Sequence, residues 1–164
     1  MSANAPIAVI DTDVLFRPRC RAVILHAIQQ GLLIGVWSPN IIAELFRIIT
    51  VQWIAKYGSG HAPLDELSTG SKILLETLLG SLVLVDTGPR DDRNYPRLTD
   101  LDDLHLIAAG KLATASLIVS NNRRDFPAAD GQGRHLYDGL EFVTYAELVA
   151  RLSIDEAAAL QDVT

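Results

Sequence analysis

Cysteine is almost missing from this 164-residue chain, with Cys20 the single thiol. One thiol excludes an intramolecular disulfide and a cysteine-based zinc site, and it fits a reducing compartment. Long apolar runs are missing too. The longest uncharged apolar stretches, such as 31–37, fall far short of the ~20 residues that cross a bilayer, so no membrane span is expected. Residues 1–6 have no basic region leading into an apolar one, so no secretion signal is expected and the expected location is the cytoplasm. Aromatic residues make up only 6% of the chain and do not interleave with basic ones, so no base-stacking surface is read. Nor is there an excess of positive charge. Against 14 basic residues stand 20 acidic ones, and the net charge of −6 disfavours non-specific coating of nucleic acid.

What the chain does have is core-forming material. With 49% hydrophobic residues and a modest net charge, it is not a disordered polymer. Its length suits one domain, which we place at residues 1–150, with 151–164 as a short helical appendage of the same domain. Five short apolar runs read as strands: 7–10, 32–36, 82–85, 117–119 and 142–143. Their apolar character is continuous rather than alternating, which suggests strands covered on both faces. Helical stripes lie between them, over 21–30, from Ser38-Pro39 onward, over 64–79 with a break expected near Gly70, over about 100–112, and over about 144–151. A short alanine-rich helix closes the chain. The expected fold is a three-layer α/β/α domain around a parallel sheet of four to five strands.

In an open α/β sheet, ligands bind beyond the carboxyl ends of the strands. Acids recur at that edge. Asp11 and Asp13 follow the first run, and Glu44 lies a turn and a half into the Ser38-Pro39 helix. Asp100, Asp102 and Asp103 open the fourth helix, and Asn122 and Asp125 follow the fourth run. Converging carboxylates repel one another, and a hard divalent cation, Mg²⁺ or Mn²⁺, relieves that repulsion. Such an ion acidifies a water and neutralises phosphoryl charge. Nine of the 14 basic residues fall in loops or first turns after strands, among them Arg17, Arg19, Arg123 and Arg124. Guanidinium forks suit phosphate oxygens, so an acidic protein can carry a basic rim.

Each residue also has a plainer reading. Asp11 and Asp13 are good turn formers, and Thr99-x-x-Asp102 fits a capping box. Asp100 and Asp103 suit a helix N-terminus, Glu44 a solvated helix face, and Asn122 with Asp125 a shaped loop. Cys20 lies between Arg19 and Arg21, which would lower its pKa, but no His and acid stand nearby in sequence. His26, His61, His105 and His135 lack metal-ligand spacing.

The residues at the strand ends carry a resemblance. Val9-Ile10-Asp11-Thr12-Asp13-Val14-Leu15 resembles the opening of PIN-domain nucleases. Trp37-Ser38-Pro39-Asn40-Ile41-Ile42-Ala43-Glu44-Leu45 resembles the segment bearing their second acid. The stretch from Thr99 to Ala109 is similar to their D-x-D-D-x-H pattern, and that from Ser116 to Pro127 to their closing motif. The likeness runs in order over about residues 7–127. It implies a metal-dependent ribonuclease, most often the toxin of a bacterial toxin–antitoxin pair of the VapC-like kind. It further implies Asp11, Glu44 and Asp103 as metal-binding acids, Asp13 as a supporting one, a small antitoxin partner and a homodimer. Asn122 departs from the pattern, because many relatives have Asp there and a neutral oxygen holds a cation more weakly. Asp125 either compensates or is structural, and Asp100 and Asp102 are alternatives to Asp103. Two other readings stand beside this one. The first is a catalytically weakened PIN-like module that binds RNA or a partner. The second is a haloacid-dehalogenase-like phosphatase, suggested by Asp11-Thr12-Asp13, although Leu15 stands where that class has Thr or Val.

Overall fold

The computed structural model describes residues 4–58, 64–88 and 104–161. Strand β1 (Ile7–Ile10) lies at the centre of the sheet, with Val9 and Ile10 fully buried. It runs parallel to β2 (Ile34–Trp37) on one side and to β4 (Leu117–Val119) on the other. Beyond β2 lies the two-residue β3 (Val83–Leu84), and beyond β4 lies β6 (Leu140–Val143), both parallel. The sheet has six strands in the order β3-β2-β1-β4-β6-β5.

The sixth strand corrects the expected count of four to five. It is β5 (His135–Tyr137), antiparallel to β6 at the sheet edge, which none of the five apolar runs includes. Asp138 and Gly139, at φ 50° and 82°, form the two-residue turn between them. Positive φ at both turn positions matches the strand twist that tight hairpins require.

Helices flank the sheet on both faces. A single-turn helix, α1 (Thr12–Leu15), follows β1 and leads into α2 (Pro18–Gln29). Helix α3 (Pro39–Tyr57) begins as its sequence indicates. Ser38 is the N-cap, its hydroxyl accepts from the Ile41 amide, and Pro39 occupies the first turn. Helix α4 (Leu64–Leu79) runs unbroken through Gly70, contrary to the expected interruption. One exposed glycine costs a helix only about 1 kcal/mol, too little to end one that buries Leu78 and packs Leu74 and Leu75 against the core. Helix α5 (Leu104–Leu112) contacts β1, β2 and β4, and its Gly110 admits Leu140 against the helix backbone. Thr144 and Glu147 form a capping box at the start of α6 (Tyr145–Leu152), and α7 (Glu156–Gln161) docks on α2. Gly35 in β2 serves close packing, because a Cβ there would lie 2.5 Å from Leu82 and 2.8 Å from Ile28 of α2. Among the described residues no helix is long and apolar enough to cross a membrane.

Candidate active site

The connection out of β1 leads to β2 on one side, whereas β4 lies on the other side of β1. The chain thus changes direction at the β1–β4 boundary, and open α/β sheets bind ligands at such a boundary, beyond the carboxyl ends of the strands. Asp11 is the first residue beyond β1. Its amide donates to the Val119 carbonyl at 3.0 Å, which continues the β1–β4 ladder by one step. Its carboxylate caps α1, with Oδ1 accepting from the Thr12 amide at 2.7 Å. The turn into α1 brings Asp13 round to the end of β4. There its Oδ2 accepts from the Asn121 amide at 2.8 Å and from the Ser120 hydroxyl at 3.4 Å. Glu44 arrives from α3, and its Oε2 accepts from the Thr12 hydroxyl at 3.2 Å.

Asp13 and Glu44 thus come near Asp11 from two helices at the end of β1. Electrostatics records their closeness. Burial, then the Asp13 charge, then that of Glu44, raise the Asp11 pKa from 3.8 to about 7. Hydrogen bonds from Ser120 and the Thr12 amide oppose the rise. The Asp13 pKa is also raised, chiefly by burial, against the pull of Asn121, Ser120 and the Arg17 charge. The second oxygen of Asp13, Oδ1, is buried with no hydrogen-bond partner. A bare buried carboxylate oxygen is costly unless something cationic or protic meets it. Among the described residues no three His, Cys, Asp or Glu side chains stand close enough together to hold a metal by themselves. Asp100, Asp102 and Asp103 lie outside the described residues.

Other candidates fall elsewhere. Asn122 is exposed, and its side-chain amide donates to the Asp125 carboxylate. Asp125 therefore engages Asn122, and among the described residues Asp13 and Glu44 are the carboxylates acting on Asp11. Of the proposed basic rim, Arg17 is exposed beside Asp13 and Arg124 is exposed on the β4 loop. Arg19 faces Glu156 at 4.0 Å, and Arg123 is ion-paired with Glu147. Arg21 has a structural partner. Its half-buried guanidinium donates to the Leu15 carbonyl at 2.8 Å and closes the end of α1. Cys20 is partly buried near Arg17 and Arg19. Burial outweighs its arginine neighbours and pushes its pKa up.

Three residues at the site had no role assigned from sequence. Thr12 is 2% exposed and touches both Asp11 and Glu44. Ser120 serves Asp13 and Asp11, and its oxygen also accepts from the Asn122 amide at 3.2 Å. Asn121 holds Asp13 through its amide and the first turn of α6 through Oδ1, which accepts from the Tyr145 amide at 3.1 Å. Their sequence signal was position alone, as polar residues directly after two buried strands.

No family model matches the chain, and no curated protein matches it. Among solved structures the fold is similar to the crystal structure of PAE2754 from Pyrobaculum aerophilum. The two superpose with a TM-score of 0.57 at 14% identity, over 93% of this chain and 94% of that one. A likeness at this identity speaks to the α/β architecture.

Proposed function

We propose that this protein is a metal-dependent endoribonuclease of the PIN-like kind, acting as the toxin of a bacterial type II toxin–antitoxin system. The observation that carries the proposal is the crowding of Asp11 by the Asp13 and Glu44 charges at the carboxyl ends of β1 and β4, with one buried Asp13 oxygen bare. The sequence resemblance supports the same assignment.

The donor set fits Mg²⁺ or Mn²⁺. Every acidic group at this edge offers oxygen, no thiol or imidazole is needed, and one buried oxygen lacks a partner. Asp11 and Glu44 would hold the ion with Asp103, and Asp13 would support them. When bound, the ion would acidify a water and neutralise charge on the scissile phosphodiester. The protein's own groups then have distinct tasks. Asp11, its pKa raised to about 7 by burial and neighbouring charge, is partly protonated at neutral pH. Ser120 and Asn121 fix one oxygen of Asp13 and leave the other turned inward. Arg17, exposed beside Asp13, and Arg124, exposed on the loop after β4, suit an RNA backbone, with Arg19 and Arg123 joining them if their ion pairs open. The implied partners are an RNA substrate, a small antitoxin and a second copy of the chain.

Incubation of mixed RNAs with the protein and Mn²⁺ tests this reading. Cleavage that chelator abolishes, and that Asp11→Asn and Asp103→Asn each abolish in folded protein, is expected. Cleavage unchanged in both variants overturns the proposal.

A second reading, a metal-poor binding module, draws on Asn122, whose side chain is spent on Asp125. Calorimetry with Mn²⁺ separates the two, since tight binding accompanied by RNA turnover excludes the module. The phosphatase reading needs a lysine beside Asp11. The three lysines lie elsewhere: Lys56 over the Tyr57 ring, Lys72 with Glu76 and Lys111 with Asp138.

A further inference from the structure

Thr12 sits between the two acids that come from different elements. Its amide donates to Asp11 Oδ1 at 2.7 Å, and its hydroxyl lies 3.2 Å from Glu44 Oε2 and 3.4 Å from the Ile41 carbonyl. At 2% exposure the hydroxyl has no recourse to bulk water, so its proton must go to one of these two acceptors. The Glu44 carboxylate is both nearer and charged, and a charge-assisted hydrogen bond is roughly twice as strong as a neutral one. The Ile41 carbonyl sits on the same first turns of α3, so the hydroxyl grips that helix beside the acid it bears. Glu44 has a long side chain with three torsions, and the rotamer it adopts decides whether its carboxylate faces Asp11 or solvent.

We propose that Thr12 is the positioning residue that holds the Glu44 carboxylate toward Asp11, coupling α1 to α3 at the end of β1. This rests on the nuclease reading for its consequence, because a carboxylate held in place loses no side-chain entropy when a cation arrives. Groups that orient metal ligands typically contribute 10- to 100-fold in affinity or activity.

The test compares Thr12→Val, which keeps the shape and the backbone amide but removes the hydroxyl, with Thr12→Ser, which keeps the hydroxyl. Both are made in the full chain. Five readouts are taken: melting temperature, Mn²⁺ affinity by calorimetry with the metal alone, kcat and KM for RNA cleavage, and crystal structures. In Thr12→Val the Glu44 carboxylate is expected to leave residue 12. Mn²⁺ affinity and kcat are expected to fall about 10- to 100-fold with KM nearly unchanged. Thr12→Ser is expected to restore all three. Wild-type affinity and kcat in Thr12→Val, or a serine variant no better than valine, overturns the proposal. If wild-type protein neither binds Mn²⁺ nor cleaves RNA, the nuclease reading falls. The crystal structures then decide the positioning role: Glu44 displaced in valine and in place in serine supports it, and the same place in both refutes it. If Thr12→Val fails to fold, the serine variant decides. Its retained Glu44 position and kcat support the role, and their loss refutes it.

Discussion

Replacing Asp11 by asparagine should make the metal-free protein more stable while removing its proposed activity. Asparagine is as good an N-cap as aspartate, so the bond from the Thr12 amide survives. What changes is charge. A carboxyl whose pKa rises from 3.8 to about 7 on folding strains the fold whenever it is ionised. At 1.36 kcal/mol per unit, the full effect is about 4 kcal/mol. Water reaching the carboxyl reduces this, so the expected gain is about 2–4 kcal/mol. For a chain of this length that is a rise of about 4–16 °C in Tm. The pH dependence follows from the direction. Between about pH 4 and pH 7 the folded wild type binds more protons than the unfolded chain, so its stability falls as pH rises through that window. Above pH 7 the destabilisation is complete. Melts of both proteins in chelator at pH 4, 6 and 8 check this. The variant should match wild type near pH 4 and exceed it most at pH 8. A variant no more stable than wild type at pH 8 refutes the claim that Asp11 is crowded by burial and by neighbouring charge.

Mn²⁺ should raise the wild-type Tm more at pH 8 than at pH 5, because the ion competes with a proton on Asp11, and it should leave Asp11→Asn unmoved; differential scanning fluorimetry reads both. Gly35→Ala should lose about 1–3 kcal/mol in a urea melt, since its new Cβ meets Leu82 at 2.5 Å and Ile28 at 2.8 Å. Gly139→Ala, at φ 82° in the β5–β6 turn, should cost about 1 kcal/mol in the same measurement without altering cleavage. Arg124→Ala should raise KM for RNA and flatten its salt dependence by about one phosphate contact, with kcat kept.

Much of this architecture was legible in the chain because buried parallel strands advertise themselves. The runs Ile7–Ile10 and Leu117–Val119 have no polar residue, and both became strands at those bounds. Strand β5 escaped notice for the opposite reason. An edge strand covered on one side, with Leu136 37% exposed, carries no such run. The Asp138-Gly139 pair was its only local signal, and a strong one for a two-residue hairpin. At the site, Asp11, Asp13 and Glu44 could be named because acids beyond strand ends converge in this fold class. The duties of Thr12, Ser120 and Asn121 could not, since each depends on which atoms of β1, β4 and α3 meet in space. The contacts of Arg21 and Arg123 were hidden in the same manner. Their partners, the Leu15 carbonyl and Glu147, are set by a helix turn and by a contact 24 residues away.

Crystals soaked in Mn²⁺ and measured at its absorption edge offer the most direct view of whether these oxygens share one ion. The account predicts a single anomalous peak at the carboxyl ends of β1 and β4, within coordinating distance of Asp11 and Glu44. A peak elsewhere on the surface, or none near Asp11 at saturating Mn²⁺ and pH 8, would contradict it.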